Sequence, residues 1–284
     1  MKLGLSLAGG GIKGIAHIGA IKALEEEGIK IDYISGTSSG SIVAALYAAG
    51  YRTDEMYKIF KEYAKSIKYF DTKNVFKFCK DLIVHHDVRI TGLNSGNKIY
   101  NLAKEVLAKK RIHYISDVKM PLLIPALNIV SEQLYVFYSR SALGLSNKEV
   151  KYINNIELAG AIRASCSYPG VFSPYDYENE LLVDGGITEN IPWNELKKVG
   201  ADKVLSIVFK NIEGKKCCNN LFEVIDKSFS VMCKELAKHE ANGTDYLIEI
   251  KHKNIGLLET KCLDELYQEG YEQTKNKLKL LKLN

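Results

Sequence analysis

The chain predicts an α/β fold built on a mostly parallel sheet, and two consecutive strand-to-helix units carry that prediction. Leu3 to Leu7 is a short apolar run that ends in Gly9, Gly10 and Gly11, after which a helical pattern extends from Gly14 to about Glu27. Ile31 to Ser35 repeats the strand signal, passes through Gly36-Thr37-Ser38-Ser39-Gly40 and enters an alanine-rich helical stretch from Ser41 to Ala49. Two such units in succession place their strands side by side and pointing the same way.

Further along, residues 54–107 read mainly as helices and loops. Phe70, Val75, Phe76, Phe78, Leu82 and Ile83 cluster there, either as a cap over a site or as packing of a helix on the sheet. Strand signals resume at Leu122 to Val130 and Leu134 to Tyr138, an expected antiparallel pair around Ser131 and Glu132. A helix is expected over Ile156 to Arg163, then a short strand over Leu181 to Val183 that runs into Asp184-Gly185-Gly186. Lys203 to Phe209 and Tyr246 to Ile250 are expected as late strands with a helix between them. No internal repeat, low-complexity tract or linker divides the sequence. One domain over residues 1–284 is therefore expected, with its motifs in about residues 1–200 and residues 201–284 adding strands and helices to it.

Bulk composition narrows the function classes. The content of 46 % hydrophobic residues is ample for a large core, and 39 basic against 34 acidic residues leave a formal charge of only +5. Most lysines share their stretch with acids and form a solvated face, which argues against nucleic acid as a partner. The basic, helix-patterned run from Lys275 to Lys282 reads as a solvated last helix, with anionic headgroups as the alternative contact. No segment approaches the ~20 apolar residues of a membrane span, so any membrane contact is expected to be peripheral.

The six cysteines, Cys79, Cys166, Cys217, Cys218, Cys233 and Cys262, lack metal-site spacing and read as reduced thiols, as in a cytoplasmic protein. The N-terminus looks superficially like a signal peptide, but its apolar run stops at Ala8. Oligomeric state is not legible.

Chemistry concentrates in three glycine-rich turns. Gly36-Thr37-Ser38-Ser39-Gly40 fits Gly-x-Ser-x-Gly between a strand and a helix, where a serine nucleophile sits on a strained turn and glycines two residues either side avoid a clash. Ser38 is the central residue, and the helix N-terminus behind it favours developing negative charge. The loop Gly9-Gly10-Gly11-Ile12-Lys13-Gly14 also fits a dinucleotide-binding pattern, but that reading needs an acidic residue at the end of the second strand, and Asp32 stands at its beginning. Consecutive glycines suit another task, which is to present backbone N–H groups to the oxyanion of a tetrahedral intermediate.

A nucleophilic serine needs a base. None of His17, His85, His86, His113, His239 and His252 lies in a late strand-end glycine turn, and His17 reads as a packing or hydrogen-bonding residue of the first helix. Asp184 is the better candidate, because Leu181-Leu182-Val183 carries it out of the core into Gly185-Gly186; a plain Asp-Gly turn is the alternative.

Together and in this order, the three motifs resemble the patatin-like phospholipases. Ala16-His17-Ile18-Gly19, Lys22-Ala23-Leu24-Glu25 and the stretch from Ala164 to Phe172 also look like that family, and the resemblance covers about residues 1–200. It implies a three-layer α/β/α fold with a mostly parallel central sheet. It also implies a Ser38–Asp184 dyad without a catalytic histidine, and an oxyanion hole from the amides of Gly10, Gly11 and Ile12. Members deacylate phospholipids, lysophospholipids or neutral glycerolipids without a metal or other cofactor for the dyad chemistry. Lys13 stands where the family usually has arginine, keeping the charge but losing the planar fork, and Gly185-Gly186 stands where Gly-Ala is common. The expected function is serine hydrolysis of lipid carboxylic esters; the alternative is a catalytically idle lipid-binding or regulatory module on the same fold.

Overall fold

The computed structural model describes residues 1–66, 91–140, 145–212, 221–253, 255 and 259–280. The aromatic cluster from Phe70 to Ile83 lies outside the described residues, as do Cys79, Cys217, Cys218, His85 and His86.

The first two units form where the sequence places them. Strand β1 (Leu3–Leu7) leads through a single 3-10 turn (Gly11–Lys13) into α1 (Gly14–Glu26). Strand β2 (Tyr33–Gly36) leads into α2 (Ser39–Ala48), followed by α3 (Thr53–Ser66). All five residues of β1 are buried, which accounts for its unbroken apolar run: a central strand of a parallel sheet is covered on both faces. Next come β3 (Gly92–Asn94), α4 (Asn97–Lys109), β4 (Leu122–Asn128), β5 (Leu134–Tyr138) and β6 (Val150–Ile153). The expected run to Val130 ends at Asn128, because the Asn128 side-chain oxygen accepts from the Val130 and Ser131 N–H groups and turns the chain.

Helix α5 (Leu158–Ser165) precedes three short strands, β7 (Gly170–Phe172), β8 (Tyr175–Tyr177) and β9 (Glu180–Asp184). The chain closes with α6 (Trp193–Lys198), β10 (Lys203–Asn211), α7 (Leu221–Ala241), β11 (Tyr246–His252) and α8 (Leu263–Leu278). The basic run expected to Lys282 thus falls in the end of α8 and the turn after it, with residues 281–284 outside the described part.

The main sheet runs β11-β10-β1-β2-β4-β5-β6, with β9 on β4 and β8 on β9. Pairs β10–β11, β1–β10, β1–β2, β2–β4 and β5–β6 are parallel, whereas β4–β5, β4–β9 and β8–β9 are antiparallel. The largest apolar cluster lies between the sheet and the layer of α1, α2, α5 and α8. On the opposite face Leu196 and Val199 join Tyr33, Leu123, Val136 and Val204 in a second cluster. The architecture is three-layer α/β/α with a mostly parallel central sheet, as predicted. A separate parallel pair, β3–β7, sits off this sheet.

One strand shares an edge between two neighbours, and this places the site. β4 pairs with β2 at Leu122 and Leu123, then with antiparallel β9 at Ala126, Leu127 and Asn128. The register sets Ser35 level with Leu123 and Asp184 level with Ala126. At about 3.3 Å per residue, the chain three residues beyond Ser35 has climbed as far as Ala126 lies beyond Leu123. Ser38 and Asp184 therefore meet at the carboxyl end of β2.

Candidate active site

Ser38 sits between β2 and α2 at φ 53° and ψ −124°, a backbone conformation that a non-glycine residue adopts at a cost of roughly 1–3 kcal/mol. Its two flanking glycines are a steric need. A Cβ on Gly36 would come 2.3 Å from Gly40 O, and one on Gly40 would come 2.4 Å from Leu7 O. The turn is held by Gly40 N–H donating to Thr37 O at 2.8 Å, and by the N–H and hydroxyl of Ser41 both donating to Ser38 O. The Ser38 N–H donates to Ser165 Oγ at 3.0 Å, which links the nucleophile turn to the end of α5.

Asp184 ends β9 and is 3 % exposed. Its Oδ1 accepts from the Gly186 N–H at 2.9 Å, and its N–H donates to Ser167 O at 3.1 Å. Burial pushes its carboxyl up to about 6; the Ser38 hydroxyl and the Gly186 N–H pull the other way and are outweighed. The Ser38 hydroxyl thus faces the carboxyl, and among the described residues Asp184 Oδ2 is buried without a hydrogen-bond partner.

The glycine loop lies beside them. A Cβ built on Gly9 would stand 3.1 Å from Ser38 Cβ. Gly10 N–H donates to Ser39 Oγ at 3.1 Å, and Lys13 N–H donates to Gly10 O at 3.3 Å. Among the described residues no hydrogen-bond acceptor meets the N–H of Gly11 or Ile12. Of the three expected oxyanion donors, Gly10 is engaged by Ser39, while Gly11 and Ile12 meet no acceptor among the described residues. Lys13 places its Nζ 5.7 Å from the centre of the Phe209 ring, and Gly14 opens α1.

His17 is fully buried, with Nε2 2.9 Å from Ala8 O and its ring 4.5 Å from that of Phe209. Burial lowers it to about 4, so it is neutral and donates from Nε2. Among the described residues no histidine hydrogen-bonds Ser38. Nor is any group of three or more His, Cys, Asp or Glu side chains arranged to hold a metal ion among them.

A profile of the patatin-like phospholipases matches residues 5–197. The chain belongs to that family. Among its relatives, lysophospholipase NTE1 of Meyerozyma guilliermondii is 29 % identical over 217 residues, covering 76 % of this chain and 13 % of the relative. The namesake from Mycosarcoma maydis is 31 % identical over 75 % of this chain and 10 % of its own length. An uncharacterized NTE family protein of Mycobacterium bovis is 29 % identical, with 75 % and 50 % covered. This chain therefore spans half or less of these relatives.

Among solved structures, VipD from Legionella pneumophila superposes with a TM-score of 0.54 at 15 % identity, covering 98 % of this chain and 67 % of that one. ExoU in its complex with SpcU from Pseudomonas aeruginosa gives 0.50 at 16 %, covering 99 % and 52 %. At such identities the likeness is one of fold.

Several residues of this patatin-like site escaped the motif reading. Ser165 and Asn190 hold Ser38 N–H and Gly9 N–H respectively, the latter at 3.1 Å. The Arg163 guanidinium is buried and donates to Ser167 Oγ at 2.5 Å, Ser95 O at 2.8 Å and Ser173 O at 2.6 Å. Ser165 and Ser167 lie in the Ala164–Phe172 stretch that marks the family, so their presence was visible while their contacts were not. Asn190 stands six residues after Asp184 in a segment without periodic pattern.

Beside the nucleophile turn, an apolar cleft opens between α2, α3, α4 and α5. Ile42, Leu46, Tyr63, Leu102, Val106 and Ile162 contribute to its walls. Ile42 and Leu46 stand four and eight residues after Ser38, one and two turns along α2. Among the described residues no helix is long and apolar enough to cross a membrane.

Proposed function

We propose that this protein hydrolyses the carboxylic ester of a lipid through Ser38 and Asp184, with no histidine in the proton path. The observation that carries the reading is the Asp184 carboxyl, buried, raised to about 6 and facing the strained Ser38 turn. A carboxylate near its ordinary value is a poor base at neutral pH, and one raised toward 6 is better matched while still ionised.

In the first step Asp184 accepts the Ser38 proton as Oγ attacks the ester carbonyl carbon. The oxyanion forms beside the Gly11 and Ile12 N–H groups and the α2 N-terminus, joined by Gly10 once it leaves Ser39. Collapse expels the alcohol, which takes the proton from Asp184, and leaves the acyl group on Ser38. Water then attacks this ester as Asp184 takes its proton, and the fatty acid departs with Ser38 restored.

The apolar walls along α2 begin one turn from Ser38 and give an acyl chain a direction to follow, and relatives named lysophospholipase favour a one-chain glycerophospholipid over a neutral glycerolipid. Lipid packed in a bilayer is reached by peripheral contact in this reading. Hydrolysis of p-nitrophenyl esters, lysophospholipids and acylglycerols by native protein and Ser38→Ala tests it, together with fluorophosphonate labelling. Activity and labelling that both vanish in Ser38→Ala are expected. An unreactive native protein that still binds lipid would instead establish an idle lipid-binding module.

A further inference from the structure

Helix α7 lies outside the family-matched residues 5–197, yet it reaches the site through one side chain. Glu240 Oε1 accepts from the Asn190 N–H at 3.1 Å and Oε2 from the Ile191 N–H at 3.0 Å, so both oxygens bind the loop that follows the Asp184 turn. The same loop is sewn to the nucleophile strand from inside. Thr37 Oγ1 donates to Glu189 O at 2.9 Å and Ser35 Oγ to Pro192 O at 2.9 Å. Between these anchors Asn190 turns its side-chain oxygen onto the Gly9 N–H, and a Cβ on Gly9 would stand 2.8 Å from that oxygen.

We propose that Glu240 is a positioning residue: from α7 it fixes Asn190, and Asn190 fixes the glycine loop whose next amides face the reacting ester. The proposal rests on the hydrolase reading above for its purpose, and on the hydrogen bonds alone for its mechanics. Two bonds in series join Glu240 to Gly9, and Gly10, Gly11 and Ile12 follow directly in the chain. Amides that hold an oxyanion act only if they are already in place when charge develops, so a loop free to shift by a fraction of an ångström loses rate without losing substrate.

The packing around α7 supports a polar rather than an apolar tether. Every α7 residue whose burial is described is at least partly exposed, and its apolar contact with Ala8, Ile191 and Val208 is made by Ala237 and Ala241. A carboxylate is an expensive side chain to place there: burial pushes Glu240 up to about 7 against the pull of its two backbone donors. The ionisable groups that sense it are Cys233 on α7 and Glu189 on the loop, and Glu195 and Lys198 of α6 act on Glu189 in turn. Burial and the acidic neighbours Glu195 and Glu240 push Glu189 well above the usual carboxylate range, while Glu240 itself is raised to about 7.

The test compares native protein with Glu240→Ala, Glu240→Gln and Asn190→Ala by amide hydrogen exchange and by steady-state kinetics on p-nitrophenyl butyrate. Within residues 9–14, exchange of the hydrogen-bonded amides of Gly10, Lys13 and Gly14 should quicken by roughly tenfold or more in Glu240→Ala and Asn190→Ala. Over the same variants kcat should fall by about tenfold or more while KM stays within about twofold. Glu240→Gln sets an N–H₂ against one of the two backbone donors and so copies the protonated acid. It should fall between native and alanine forms and lose any activity change centred near pH 7, keeping the one near 6. Unchanged exchange at residues 9–14 in a folded Glu240→Ala protein overturns the proposal. If that variant does not fold, unchanged exchange there in Asn190→Ala does so. A native protein inert toward every ester would overturn the hydrolase reading and with it the purpose of the clamp, which the exchange data would still report.

Discussion

Asp184 pairs across the antiparallel ladder with Ala126, three residues beyond the point where the same edge of β4 leaves β2. That hand-over sets the acid level with Ser38 and buries it against the sheet, where its pKa rises to about 6. The geometry that positions the base is thus also the geometry that tunes it.

Asp184→Asn should abolish turnover and stabilise the fold at neutral pH. A folded pKa above the ordinary 3.8 means that the native state holds the proton more tightly than the unfolded chain. Stability from this group is therefore fully present below about pH 4 and is lost as pH rises through about 6. Two units correspond to at most about 3 kcal/mol, which the neutral amide regains. Thermal unfolding at pH 8 should show a higher midpoint for the variant; an equal or lower midpoint would contradict a buried, ionised Asp184.

Activity should rise with pH through about 6, since only the ionised Asp184 can take the Ser38 proton. The acid limb of kcat/KM for a soluble ester reads this directly. A limb near 4 would place Asp184 in water rather than in the core.

Arg163→Ala should destabilise the protein through three acceptors left without their donor, at roughly 1–3 kcal/mol for each buried oxygen not reached by water. Arg163→Lys should recover little, because one ammonium cannot span Ser167 Oγ, Ser95 O and Ser173 O together. Denaturant unfolding of both variants checks this, and a lysine variant as stable as native protein would refute the need for the fork.

Leu46→Phe should narrow the apolar cleft two turns from Ser38. Esters with long acyl chains should lose kcat/KM by about tenfold, while acetyl and butyryl esters stay within about twofold, as expected when added bulk competes with methylene burial. Equal losses across the chain-length series would remove the cleft from the acyl path.

Much of the architecture was legible because it rests on local rules. Strand β1 and helix α1 declared themselves by an apolar run, a glycine turn and a helical period, and the Ser38 turn by glycines that steric contact with Leu7 O and Gly40 O demands. Strands β3, β6, β7 and β8 did not, since three or four residues are too few to show alternation.

The sequence by itself determined the parallel α/β core, the three glycine turns and the identities of Ser38 and Asp184 as candidates, because each depends on side chains within a few residues of one another. Tertiary structure decided which groups surround them. Asn190 meets Gly9 across 181 residues, Ser165 meets Ser38 across 127, and Glu240 meets the Asp184 loop across about 50. Such contacts follow from how strand edges and helix faces pack in space, and no periodicity along the chain encodes them. The raised pKa of Asp184 belongs with them, because burial is a property of the fold and not of the residue.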